Sequence, residues 1–204
     1  ETWIRCQHRA GQRAPDGTVW PQVALAQLAA LFPERPTVII DANARRMGWA
    51  EVVAEMERLR PRWYVTQLAG PTLEHDLAGL AHAKRLGAST VAFGPLVTPV
   101  AYELLRRFAE LDYCLCGEPE VALRELVDTA EGCWAERPPQ IARLCAAVCH
   151  DTWPRTLGAV RGLAWRHDGQ IILNPLPRLM PRLDDLPLPA HDLLPLNSYR
   201  SPGL

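Results

Sequence analysis

Four short apolar runs, each followed by a stretch with helical spacing, limit the possible folds of this chain more than any other feature. They are Thr37-Val38-Ile39-Ile40-Asp41, Trp63-Tyr64-Val65-Thr66-Gln67-Leu68, Thr90-Val91-Ala92-Phe93 and Tyr113-Cys114-Leu115-Cys116. Runs that are apolar on both faces suit strands covered from both sides, as in parallel sheets. Trp3-Ile4-Arg5-Cys6 is a weaker candidate for a first strand. Helical spacing appears over Val23 to Phe32 and Trp49 to Leu59, then through Leu73, Leu77 and Leu80, closing at Gly87. It returns at Val100, Leu104, Phe108 and Leu111, with Pro99 near the first turn, and again over Glu118 to Ala130, with acidic residues at its start. Five strands alternating with five helices predict a doubly wound α/β fold, a parallel five-stranded sheet with right-handed crossovers.

After about Gly132 the pattern breaks. Glu136-Arg137-Pro138-Pro139 interrupts it, and Gln140 to His150 predicts one extra helix. Gly162 to Leu173 predicts a β-hairpin with Asp168-Gly169 at its turn. From Asn174 onward prolines are dense but leucines remain frequent, which predicts an extended tail docked on a surface. The expected organisation is an α/β domain over residues 1–135, then a helix, a hairpin and a Pro-rich linker over residues 136–204.

The 204 residues have a formal net charge of −1, so neither a nucleic acid nor a membrane surface is an expected partner. No apolar run approaches the roughly 20 residues of a membrane helix. The start, Glu1-Thr2-Trp3-Ile4-Arg5, has no basic region leading into an apolar stretch. Six cysteines at irregular spacing, in a chain large enough to need no staples, are expected as free thiols in a reducing cytoplasm.

In an open parallel sheet, ligands bind at the carboxyl ends of the strands. Those ends carry Asp41-Ala42-Asn43, Thr66-Gln67-Leu68-Ala69, Gly94-Pro95-Leu96 and Gly117-Glu118. None is a GxGxxG or Walker loop, which argues against a dinucleotide or a nucleoside triphosphate.

These turns resemble those of cobalamin-binding domains, whose flavodoxin-like (Rossmann-like) sheet carries a DxHxxG, SxL and GG pattern on successive loops. Asp41-Ala42-Asn43 stands at the first element, Thr66-Gln67-Leu68 at the second and Gly94-Pro95 at the third. Asn43 replaces the histidine that coordinates cobalt from below in some of these domains, a change shared by many cobalamin-dependent radical enzymes. Cys116-Gly117-Glu118-Pro119-Glu120, with Leu123 to Leu126, is similar to the segment that ends their cobalamin domain. Val160 to Gly169 is similar to their following hairpin, and Leu183 to Pro195 to their linker into a radical S-adenosylmethionine barrel.

The resemblance implies a cobalamin-binding module cut off before a radical S-adenosylmethionine domain that is its partner in cis. It implies cobalamin contacts from Asp41, Ala42, Asn43, Thr66, Gln67, Leu68, Ala69, Gly94, Pro95, Leu96, Gly117 and Glu118. The complete protein would also hold a 4Fe–4S cluster and S-adenosylmethionine, and would methylate an unactivated carbon or phosphorus. The chain alone is not expected to be catalytic.

Plainer readings exist for the same residues. Asp41 suits a turn cap, Thr66 a strand residue, and Glu118 and Glu120 helix N-terminal charges. Cys145 and Cys149 lie on one helix face, as buried core cysteines do. A flavodoxin-like module without cofactor, used for docking a substrate or partner, is the alternative function.

Overall fold

The computed structural model describes residues 19–133, 135, 137–149, 156–177, 179–180 and 182–199. Trp3-Ile4-Arg5-Cys6 lies outside them. The chain is α/β; its described residues form one five-stranded sheet with helices on both faces.

Strands β1 (Trp63–Gln67), β2 (Ser89–Phe93) and β3 (Tyr113–Leu115) run parallel in spatial order 1-2-3. The hairpin strands β4 (Leu163–His167) and β5 (Gln170–Leu173) continue the same sheet, β4 pairing antiparallel with β3. The sheet is therefore mixed. Among the described residues it reaches five strands through the hairpin, which the sequence pattern places outside the sheet. The hairpin turn itself is as expected: Asp168 and Gly169 have φ of 47° and 77°, the two positive values a tight two-residue turn requires.

Among the described residues six α-helices surround the sheet: α1 (Val23–Ala29), α2 (Trp49–Leu59), α3 (Leu73–Arg85), α4 (Val97–Arg107), α5 (Pro119–Glu131) and α6 (Pro139–Cys149). One core layer joins Leu28 and Leu31 of the α1 region to Leu123, Leu126 and Val127 of α5 and Ile141 and Leu144 of α6. These pack on Val91, Phe93, Leu115 and Leu163 of the sheet. The other layer joins Leu80 of α3 and Val97, Ala101, Leu104 and Leu105 of α4 to Ala92, Cys114 and Ala164. Alternate residues of each strand thus feed opposite layers, as the pleat dictates. α2 packs through Met56 against Ala83 and Ala88.

α4 begins at Val97, before Pro99. Its kink falls at Val100, whose φ of −125° is not helical.

A buried ionic layer fastens α5 to its neighbours. Arg124, fully buried, donates to Asp128 at 2.8 Å and to the Leu31 carbonyl at 2.7 Å, and stacks over Phe32 at 5.0 Å. Arg137 also pairs with Asp128. Glu131 accepts from Arg35 and, at 2.7 Å, from the Trp63 indole of β1. Burial pushes Glu131 up, but these donors outweigh it and hold the carboxyl below its ordinary range.

Thr37–Asp41 differs from expectation. The segment is not part of a strand, because among the described residues it has no strand neighbour. Its residues and those of β1 line one cavity among the described residues.

Candidate functional site

The turns at the carboxyl ends of β1, β2 and β3 form one rim, and the turn after Ile40 approaches it from the side. Asp41 is 3% exposed and organises that side turn: its carboxylate accepts from the Ala44 N–H at 2.9 Å. Backbone bonds from Arg45 to the Asp41 carbonyl and from Met47 to the Ala42 carbonyl complete it. The other carboxylate oxygen accepts from the Tyr199 hydroxyl at 2.8 Å, a partner from the far end of the chain. The cap reading of Asp41 is thus realised, and Tyr199 is a partner that no local sequence signal announces.

The loop after β1 is held by a residue outside the predicted motif. Asp76, in the first turn of α3, accepts from the Thr72 hydroxyl at 2.8 Å and the Ala69 N–H at 3.3 Å. A carboxylate near a helix start facing free N–H groups is the detectable signal, though Glu74 offers the same one.

Gly94 follows β2 with φ of 115°. A side-chain Cβ there would lie 3.0 Å from Gln67 Cγ and 3.4 Å from the Leu68 carbonyl. The second and third elements of the predicted motif are therefore in close approach, and glycine is required both for that approach and for its backbone conformation. Leu68 itself is 1% exposed and belongs to the core layer with Ala92 and Val97.

At the end of β3, Gly117 lies under the Pro-rich segment. A Cβ there would meet the Pro177 ring at 3.3 Å. The Gly117 N–H donates to Thr98 of α4 at 2.9 Å, and the Glu118 carboxylate accepts from the Met180 N–H at 3.1 Å. Gly117 and Glu118 thus seat the linker.

The predicted residues fall into two groups. Asp41, Ala42, Asn43, Thr66, Gln67 and Ala69 line one cavity of about 1320 Å³. Leu68, Gly94, Pro95, Leu96, Gly117 and Glu118 do not line it, although Gly94 backs directly onto Gln67. Of the predicted residues that line it, Ala42 and Ala69 are small, Asn43, Thr66 and Gln67 carry neutral groups that both donate and accept hydrogen bonds, and Asp41 is already engaged; Arg46, His75 and Asp76 line the cavity beside them.

The described cysteines Cys114, Cys116, Cys133 and Cys145 are free thiols. Burial pushes Cys114 and Cys116 up, and Cys145 up to about 12, so these three are core residues rather than nucleophiles. Among the described residues no cluster of His, Cys, Asp and Glu could hold a metal ion, and no helix is long and apolar enough to cross a membrane.

No family model matches the chain. A protein of Pyrococcus horikoshii named as an uncharacterized methyltransferase is 26% identical to it over 193 residues. The match takes in 92% of this chain and 37% of that relative, so the chain is similar to a minor portion of a longer protein bearing a methyltransferase name.

Proposed function

We propose that the chain is the cobalamin-binding module of a cobalamin-dependent radical S-adenosylmethionine methyltransferase. The observation that carries this reading is the order of the turns. Asp41-Ala42-Asn43, Thr66-Gln67-Leu68 and Gly94-Pro95 occupy one end of the fold, with Gly94 and Gln67 in direct approach. The name of the Pyrococcus relative agrees with a methyl-transfer role for the longer protein.

The groups at the rim suit a corrin, whose periphery is fringed with amides. Asn43, Gln67 and Thr66 can each donate to and accept from such groups, and Ala42 and Ala69 keep the approach open. These residues would hold the cofactor's edge, with Thr66 and Gly94 beside its nucleotide tail. Asn43 is a neutral amide where an imidazole would ligate cobalt, so this chain supplies no histidine there to the lower face. Bound cobalamin supplies a carrier for the methyl group, while the residues of this chain position it and limit access of water. The 4Fe–4S cluster and S-adenosylmethionine belong, on this reading, to a radical domain beyond the chain.

Incubation with hydroxocobalamin followed by gel filtration tests the reading: a corrin spectrum should travel with the protein. The linker packed on Gly117 and Glu118, and the engagement of Asp41 by Tyr199, favour a second reading, a cofactor-free docking module. A colourless protein peak would select that second reading.

A further inference from the structure

Residues 187–199, far along the proline-rich segment, are fastened to the helix and the turn that border the cavity. The Gln27 side-chain amide donates to the Pro187 carbonyl at 2.9 Å, and the Ala190 N–H donates to the Ala26 carbonyl of α1 at 3.0 Å. Leu194 is buried with Ala26 and Ala29 of α1 and with Ile39, and Ala190, Leu193 and Tyr199 pack against the same group. Ala29, Ile39 and Ser198 also line the cavity. The tail, α1 and the approach to the Asp41 turn thus share one small apolar cluster beside the cavity.

Tyr199 carries the tail to the rim itself. Its hydroxyl donates to one oxygen of the Asp41 carboxylate at 2.8 Å, while the other oxygen holds the Ala44 N–H at 2.9 Å. Asp41 lines the cavity but is 3% exposed, so it presents little surface to an occupant. A carboxylate held in this way fixes its turn. Contact with an occupant falls to its neighbours Ala42 and Asn43, which line the cavity too. One side-chain hydrogen bond therefore ties residues 187–199 to the residues at the cavity mouth.

We propose that Tyr199 is a positioning residue for the rim: through Asp41 it sets Ala42 and Asn43 for the corrin edge, and a bound corrin in turn tightens the hold of residues 187–199 on α1. The ligand in this inference rests on the cobalamin reading; the coupling rests on the bond between Asp41 and Tyr199. A turn ordered before binding spares the ligand the cost of ordering it. Coupling of this kind is reciprocal, so whatever the docked tail adds to rim affinity, the filled rim returns to tail docking. The docked tail and the occupied rim favour each other.

Amide hydrogen exchange with and without saturating hydroxocobalamin tests the coupling, alongside the corrin affinity of Tyr199→Phe. In the parent protein the corrin should slow exchange about tenfold at Ala190 and Leu194, whose N–H groups donate to the Ala26 and His191 carbonyls. In Tyr199→Phe that slowing should vanish, and the corrin should bind about tenfold more weakly to a chain still folded by circular dichroism. A merely structural role for Tyr199 would not make exchange in the tail depend on the corrin. Retained corrin with unchanged exchange at both amides overturns the proposal, as does undiminished affinity in Tyr199→Phe. Absence of any retained corrin removes the cobalamin reading instead, and the ligand-free protein then decides the positioning role. There Tyr199→Phe should speed the Ala44 and Met47 amides of the Asp41 turn about tenfold, while Val91 in β2 keeps its rate. Equal rates at Ala44 and Met47 overturn it.

Discussion

The carboxylate of Asp41 joins the turn at Ala44 to Tyr199, 158 positions along the chain. Removing it leaves two donors without their acceptor in a buried place. Asp41→Ala should therefore cost about 2–3 kcal/mol in urea unfolding, and Tyr199→Phe, which loses one bond, about 1 kcal/mol. The two changes should be non-additive in a double-mutant cycle. Burial, with the hydrogen bond to Asp41 and its charge, raises the Tyr199 phenol well above its ordinary range. An acid whose folded pKa is raised contributes stability that is whole below its unfolded value and is lost as pH rises. The Tyr199 contribution should therefore be complete below about pH 10 and fade above it, and Tyr199→Phe should flatten that part of the stability profile. Thiol labelling read by peptide mass spectrometry should find Cys114 and Cys145 inert in the native protein at neutral pH, with Cys133 reacting ahead of both.

At the scale of elements, Arg166 of β4 reaches across to the end of α4. Its guanidinium donates to the carbonyls of Leu105, Phe108 and Leu111, the Phe108 contact at 2.7 Å, where a helix end leaves acceptors free. Arg166→Ala should destabilise the fold by about 2–3 kcal/mol, and Arg166→Lys should recover only part, because a single ammonium nitrogen cannot stand in both places that the two guanidinium nitrogens occupy. Thermal unfolding of the two variants beside the parent protein checks both. The sequence disclosed the hairpin through Asp168-Gly169 and the alternating residues around it. It did not disclose that β4 would pair with β3, because which edge a hairpin joins depends on which edge the rest of the chain leaves open. Thr37–Asp41 shows the converse. Its composition announces a strand, but a ladder needs a neighbour, and the described residues do not supply one.

For the whole molecule, the sheet is continuous across residue 135. A chain ending there would expose the β3 edge and strip the α5 layer of Ile141, Leu144, Val160 and Leu163. Such a shortened chain should form soluble aggregates or bind apolar dyes on gel filtration, whereas the 204-residue chain should not. The alternation of strand and helix was readable because burial on both faces leaves a compositional trace in every element. The candidate site was half readable. Turn residues could be assigned to strand ends by order alone, which brings Thr66, Gln67 and Gly94 together. That Gly117 and Glu118 also meet the linker depends on where Pro177 and Met180 lie, and proline density specifies an extended path without a direction.

Because β4 runs against β3, the Asp168-Gly169 turn lies at the opposite pole from the rim. A Cβ on Gly169 would meet nothing within 4 Å. A fluorophore or small reporter spliced into that turn would leave the crevice end untouched. Engineered versions of this protein thus have a ready handle for immobilisation that keeps the opposite end facing solution.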